Sequence, residues 1–164
     1  MKHPIARTSN GVPVYVDLVR SQAAAHIAHQ PHLLELVKEL LQRTTVDGSD
    51  LRLDEDMGRN IGYSFVVETT EKDTILYAQP IRDDTYARFV KNGIPKTTQH
   101  LTVILKKDED DKYELLDTWI GRLAPPRPGS TDETARSKTY WSNHAYVFDG
   151  QPIQLRTVTK VCPY

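Results

Sequence analysis

His100-Leu101-Thr102-Val103-Ile104-Leu105, followed after a charged interval by Tyr113-Glu114-Leu115-Leu116-Asp117-Thr118-Trp119-Ile120, decides how this chain reads. Both runs are dense in apolar, β-branched and aromatic side chains, which suit a pleated, half-buried surface. The interval Lys106-Lys107-Asp108-Glu109-Asp110-Asp111-Lys112 has no apolar member. It reads as the solvated tip of a hairpin rather than as an acidic binding site.

Working outward, residues 63–68 and 74–79 read as two further strands, spaced by 69–73 as in a hairpin. Residues 86–90 suit either a strand or one helical turn. A strand at 145–148 and its return at 153–160 flank the turn signal Asp149-Gly150. The N-terminal half differs. After a polar arm, residues 12–18 suggest a short strand or the approach to a helix, and the Ala-rich stretch 21–29 favours helix. Pro31 fits the first turn of a second helix, over 31–43. There Leu33, Leu34, Val37, Leu40 and Leu41 form one apolar stripe backed by Glu35, Lys38, Glu39 and Gln42. Asp47-Gly48-Ser49-Asp50 breaks the pattern, and 51–61 has no clean period. Prolines at 125, 126 and 128 make 124–137 a loop, before a short helix or turn at 137–142. Helices first and strands after predict an α+β fold, with N-terminal helices packed on an antiparallel sheet of about five strands. Those strands are 63–68, 74–79, 101–105, 113–120 and 153–160. The expectation is a single domain over residues 1–164, with a helical part at about 12–46 and a sheet part at about 60–164.

Composition narrows the function classes. A 164-residue chain with 38% hydrophobic and 26% charged residues lies in the globular range. One cysteine, Cys162, excludes an intrachain disulfide and a cysteine-rich zinc site. No apolar run approaches the roughly 20 residues that span a bilayer, so no membrane is expected. The first residues lack the apolar core of a secretory signal, which leaves the cytoplasm or delivery as an effector. A formal net charge of −1 gives no global basic field, so any RNA contact must come from a local cluster.

Two histidines stand at strand ends: His100 before 101–105, and His144 before 145–148. An imidazole titrates near neutrality, so a pair suits concerted general acid and base work. In RNA cleavage one takes the proton of the 2′-hydroxyl and the other gives a proton to the departing 5′-oxygen. The nucleophile lies in the substrate, so no metal or other cofactor is required. Arg122 and Arg88 are the expected phosphate partners, because a guanidinium meets two oxygens with parallel charge-assisted bonds. For Arg122 the alternative is a salt bridge to Asp117 or a loop acid. Lys91 adds a third cation, or is an ordinary surface lysine. Thr102 shares a face with His100 by the period of two and is expected to bind substrate, while Thr118 offers a second strand hydroxyl and is expected in the catalytic set with His100, His144 and Arg122. Tyr140 and Trp141 would stack on an extruded base, or Trp141 closes the core beneath the proline-rich loop. Ser137 would donate to a phosphate or cap a helix. His26, His29 and His32 lack a metal-binding helical spacing, and Asp54-Glu55-Asp56 lacks the ligand alternation of a calcium loop, so it reads as a solvated loop.

The order of helix, His-x-Thr-Val-Ile-Leu strand, Tyr-Glu-Leu-Leu-Asp-Thr-Trp-Ile-Gly strand, proline-rich loop and Ser-Lys-Thr-Tyr-Trp-Ser-Asn-His-Ala resembles the barnase–EndoU–colicin–RelE (BECR) superfamily of metal-independent endoribonucleases, especially its toxin-domain and phage-associated members. The likeness covers about residues 60–148. It implies a toxin-like ribonuclease producing 2′,3′-cyclic phosphate ends. His100 corresponds to the early-strand histidine, Thr118 to the strand hydroxyl, and Tyr140, Trp141 and His144 to the late aromatic–histidine segment. It also implies RNA and an immunity or antitoxin protein as partners. The chain departs from basic members in being near neutral. The competing expectation is a non-catalytic interaction module that docks a protein with its sheet and Pro-rich loop.

Overall fold

Side chains that alternate every two residues put Leu101, Val103 and Leu105 on one face of a strand, and His100, Thr102 and Ile104 on the other. The computed structural model, which describes residues 2–79, 85–147 and 155–164, is organised around that strand. The fold is α+β. The chain forms two compact units, residues 1–62 with 97–123 and residues 63–96 with 124–164.

In the first unit a five-stranded sheet runs in the order β1 (Lys2–Arg7), β2 (Pro13–Asp17), β10 (Tyr113–Ile120), β9 (His100–Lys107), β3 (Leu51–Asp56). Neighbours are antiparallel except β2 and β10, which meet in parallel at Val14 and Tyr15. The charged tip expected between β9 and β10 is there. Lys2–Glu114 (3.2 Å) and Lys107–Asp111 (3.0 Å) ion pairs neutralise the hollow beside it.

Helix α2 (His32–Gln42) covers the Leu101–Val103–Leu105 face. Its buried stripe is Leu33, Leu36, Val37, Leu40 and Leu41, in one core with Val14, Val16, Leu101, Val103, Leu105 and Leu115. Burial of each such side chain contributes roughly 1.5–3 kcal/mol. Leu34, expected in the stripe, is only half-buried, and Leu36 replaces it. At about 100° per residue the buried set centres between Val37 and Leu40, which leaves Leu34 about 90° from that centre and Leu36 about 70°.

Helix α1 (Gln22–His29) solves a different problem. Beyond its short pairing with β2, the other edge of β10 has carbonyls without a strand partner. Ser21, the N-cap of α1, accepts the Ala23 N–H (3.0 Å) and donates to the Leu115 and Leu116 carbonyls (3.0 Å each). One turn on, His26 Nδ1–H reaches the Thr118 carbonyl and Asp117 Oδ1, both at 2.9 Å. An exposed sheet edge is thereby covered by side chains of a helix. The hydrogen bond to Asp117, more than the charge itself, raises the His26 pKa above its ordinary 6.5. A raised folded-state value means that the stabilisation is complete below about pH 6.5 and fades as pH rises through the folded value. His26→Ala should therefore cost more stability at about pH 5.5 than at about pH 9. The ring is half-exposed, so the difference should stay below about 1 kcal/mol. Urea unfolding at the two pH values measures it, and an equal cost at both would rule the ion pair out.

In the second unit a four-stranded sheet has the order β5 (Val66–Glu68), β11 (His144–Val147), β7 (Ala87–Val90), β6 (Ile75–Ala78). Strand β11 is antiparallel to β5 and parallel to β7. Val67, Val90, Ala145 and Val147 cluster together, while Ala78, Ala87 and Phe89 form a second cluster. The loop expected at 124–137 leads into helix α3 (Ser137–Trp141). Trp141 is buried, stacks on Tyr146 (4.9 Å between centroids) and donates Nε1–H to the Pro125 carbonyl (3.0 Å), so it holds that loop. Two short strands, β4 (Gly62–Ser64) and β8 (Lys96–Thr98), lie where the chain passes from one unit to the other.

Four readings of the sequence need correction. The polar N-terminal arm is an edge strand, β1, whose mostly exposed positions need no apolar face. Residues 51–56 are a strand rather than a loop. Strands β5 and β6 do not form a hairpin, nor do they join the five-stranded sheet: β11 and β7 separate them. Such short runs carry too little pattern to specify partners. The return strand at 153–160 is a single 3-10 turn at Leu155–Thr157 followed by one bridge, Thr159 to Tyr77. Residues 153 and 154, and the Asp149-Gly150 turn, lie outside the described residues.

Candidate functional site

Strand register in the first unit sets Asp54 opposite Thr102 and diagonal to His100, on the face away from α2. Asp54 Oδ1 accepts His100 Nδ1–H at 3.1 Å. Its Oδ2 accepts the Leu123 N–H at 3.1 Å and Arg122 Nε–H at 3.4 Å. One carboxylate thus holds an imidazole and a guanidinium. Because a carboxylate only accepts, Nδ1 carries the proton in neutral His100, and Nε2 keeps its lone pair. Exposure grades outward from 19% for the Asp54 side chain, through 28% for His100, to 70% for Arg122. The imidazole is braced from below, and the guanidinium reaches solvent.

Thr102 and Thr118 serve this arrangement from inside. Both are fully buried. Thr118 Oγ1 donates to the Thr102 carbonyl (2.8 Å) and Thr102 Oγ1 to the Gly121 carbonyl (2.9 Å), while the Gly121 N–H bonds the His100 carbonyl (2.9 Å). Gly121 holds φ +130°, a conformation that side chains resist. Trp119 Nε1–H bonds the Arg122 carbonyl (3.1 Å). Thr102, expected to bind substrate, and Thr118, expected in the catalytic set, instead brace the strand ends that carry His100 and Arg122.

His144 belongs to the second unit, apart from His100 in the chain's division into units. Its Nδ1–H donates to the Tyr140 carbonyl (2.9 Å), and its ring lies flat on the Tyr140 ring, 3.9 Å between centroids. Tyr140 and Trp141 are thus already stacked on protein rings. Ser137 is buried, with its Oγ accepting the Thr134 N–H at 2.9 Å, so it neither caps α3 nor faces a ligand. Arg88 is 9% exposed and donates Nη1–H to Thr69 Oγ1 (2.8 Å) and the His144 carbonyl (3.0 Å). Lys91 is exposed, just past the end of β7.

The structure brings together His100 and Arg122, with Thr102 and Thr118 beneath them, and separately His144, Tyr140, Trp141 and Arg88. It adds Asp54, which sequence reasoning passed over. The signal was present: in Leu51-Arg52-Leu53-Asp54, apolar and charged residues alternate as in a strand with one wet face. Among the described residues no three His, Cys, Asp or Glu side chains gather as a metal-ligand set. No helix among them is long and apolar enough to cross a membrane. No family model, curated protein or solved structure matches the chain.

Proposed function

We propose that this chain is a metal-independent, toxin-like endoribonuclease, with His100 as general base and Arg122 on the phosphate. The observation that carries the reading is the Asp54 carboxylate, which holds both groups at a partly open surface. RNA brings its own nucleophile, so a tautomer-fixed imidazole and an adjacent guanidinium are the parts the protein must supply. His100 Nε2 takes the proton of a 2′-hydroxyl, and the 2′-oxygen bonds to phosphorus. The bond to the 5′-oxygen breaks, and that oxygen leaves by taking a proton from solvent water. The products are a 2′,3′-cyclic phosphate and a free 5′-hydroxyl. Arg122 meets the negative charge that grows on the non-bridging oxygens. Asp54 keeps the imidazole oriented by accepting its Nδ1–H. A neutralising immunity or antitoxin protein goes with this reading.

The second reading is a non-catalytic interaction module. Leu18 (52% exposed), Val19 (82%) and Leu116 (38%) favour it, as apolar side chains left open around Ser21 and its bonds to β10. One experiment separates the two. Labelled RNA and an all-deoxy oligonucleotide of the same sequence are incubated with the purified chain in EDTA. The ribonuclease reading expects cyclic-phosphate fragments from the RNA alone. Intact RNA in every mixture hands the chain to the interaction reading, and cut DNA refutes the 2′-hydroxyl mechanism.

A further inference from the structure

Arg88 poses a problem that the proposed chemistry does not use. It is 9% exposed, in the four-stranded sheet of the second unit, and its Nε is buried without a hydrogen-bond partner. Its bonds go to neutral oxygens, Thr69 Oγ1 and the His144 carbonyl. No carboxylate among the described residues pairs with it. A buried cation is costly unless an anion and a full set of hydrogen bonds compensate it. Nε is half of the side-on donor pair, with Nη2, that meets two oxygens of a carboxylate or phosphate.

The surroundings supply further donors. Tyr77 lies opposite Arg88 across β6 and β7, and the guanidinium and Cys162 are both near enough to influence its hydroxyl. Tyr164 packs edge-on against Tyr77 at 5.8 Å. Burial pushes the Tyr164 hydroxyl up to about 12 and also raises Tyr77, so both stay protonated and able to donate. The C-terminal segment is held there by paired Tyr77–Thr159 backbone bonds of 2.8 Å. A guanidinium and two phenols are thus gathered in one part of the unit, around a buried nitrogen donor without a partner.

We propose that the second unit binds a small oxyanion, a phosphate or carboxylate group, at the Nε edge of Arg88 beside Tyr77 and Tyr164. This site is independent of the ribonuclease reading and stands or falls without RNA. The test uses the full chain with isotope-labelled arginine, titrated with inorganic phosphate and, separately, with acetate. The Arg88 Nε–H resonance should shift saturably, and the anion that saturates at lower concentration identifies the ligand group. Arg88→Lys keeps the charge but removes the side-on pair, and should weaken binding about 10- to 100-fold, the scale of a charged hydrogen bond. Tyr77→Phe should weaken it by less. An unmoved Nε–H signal with both anions overturns the site, as does unchanged affinity in Arg88→Lys. The parent titration decides even if that variant fails to fold.

Discussion

Leu41→Ala is expected to lower the unfolding free energy of the chain by about 2–5 kcal/mol. Leu41 is fully buried at the end of the α2 stripe, in the core that α2 shares with the face of β2, β9 and β10. Truncation loses the transfer energy of the removed carbons, and the surrounding helix and sheet collapse only partly around the hole, so a cavity term adds. The volume-conserving Leu41→Met should cost less than about 1.5 kcal/mol. Leu34→Ala should cost clearly less than Leu41→Ala, because Leu34 stands on the half-buried flank. Denaturant unfolding of the three variants checks the ordering. Equal costs at positions 34 and 41 would show that α2 presents a different face.

The largest catalytic effect is expected at His100. His100→Ala should lower the RNA cleavage rate at least ~100-fold, the lower end of what a positioned general base contributes. Its ring is partly exposed and outside the apolar core, so the variant should fold like the parent. Arg122→Ala should cost on the order of 100-fold or more, as removal of one preorganised donor does. Asp54→Asn replaces the acceptor that fixes the Nδ1–H tautomer with an amide able to present its NH2 instead. It should lower the rate while leaving RNA affinity nearly unchanged, a split that a purely structural Asp54 would not produce. His144→Ala reports on the second imidazole: a loss of ~100-fold would make it a partner in proton transfer. A parental rate would leave that work to another acid.

Much of the fold was legible because the pattern was long. Eight-residue β9 and β10, with a wholly charged tip, specify their own pairing, and α2 declares its buried face within three turns. Short elements were not legible in the same way. Strands β5 and β6 hold three and four residues, and each could pair with anything antiparallel. β11, the partner of β5, lies far along the chain, and β6 pairs forward with the next strand, β7, rather than back onto β5, so only tertiary packing selects these partners. β1 was invisible for a different reason. As an edge strand it needs neither apolar alternation nor freedom from Lys2 and Pro4.

The site was half legible. His100 and Arg122 drew notice because their side chains suit proton transfer and phosphate contact, and Asp54 joins them. Asp54 itself was hidden in an acidic triplet whose chemistry depends on pairing with β9, a contact 46 positions away. Thr102 and Thr118 were found for the wrong role. Period-two alternation says which side of a strand a hydroxyl takes, but not whether that side is covered. Both are fully buried, with their hydroxyls committed to backbone carbonyls. Trp141 meets the other of its two expectations: it is buried, stacks on Tyr146 and bonds the Pro125 carbonyl, closing the core beneath the proline-rich loop.

The most direct measurement is the initial rate of 2′,3′-cyclic phosphate formation from one labelled RNA in EDTA, for the parent and His100→Ala side by side. The proposed chemistry predicts cleavage by the parent and a rate at least ~100-fold lower in the variant, with both proteins equally folded. Equal rates for the two, or no cleavage of any RNA by the parent, would contradict it.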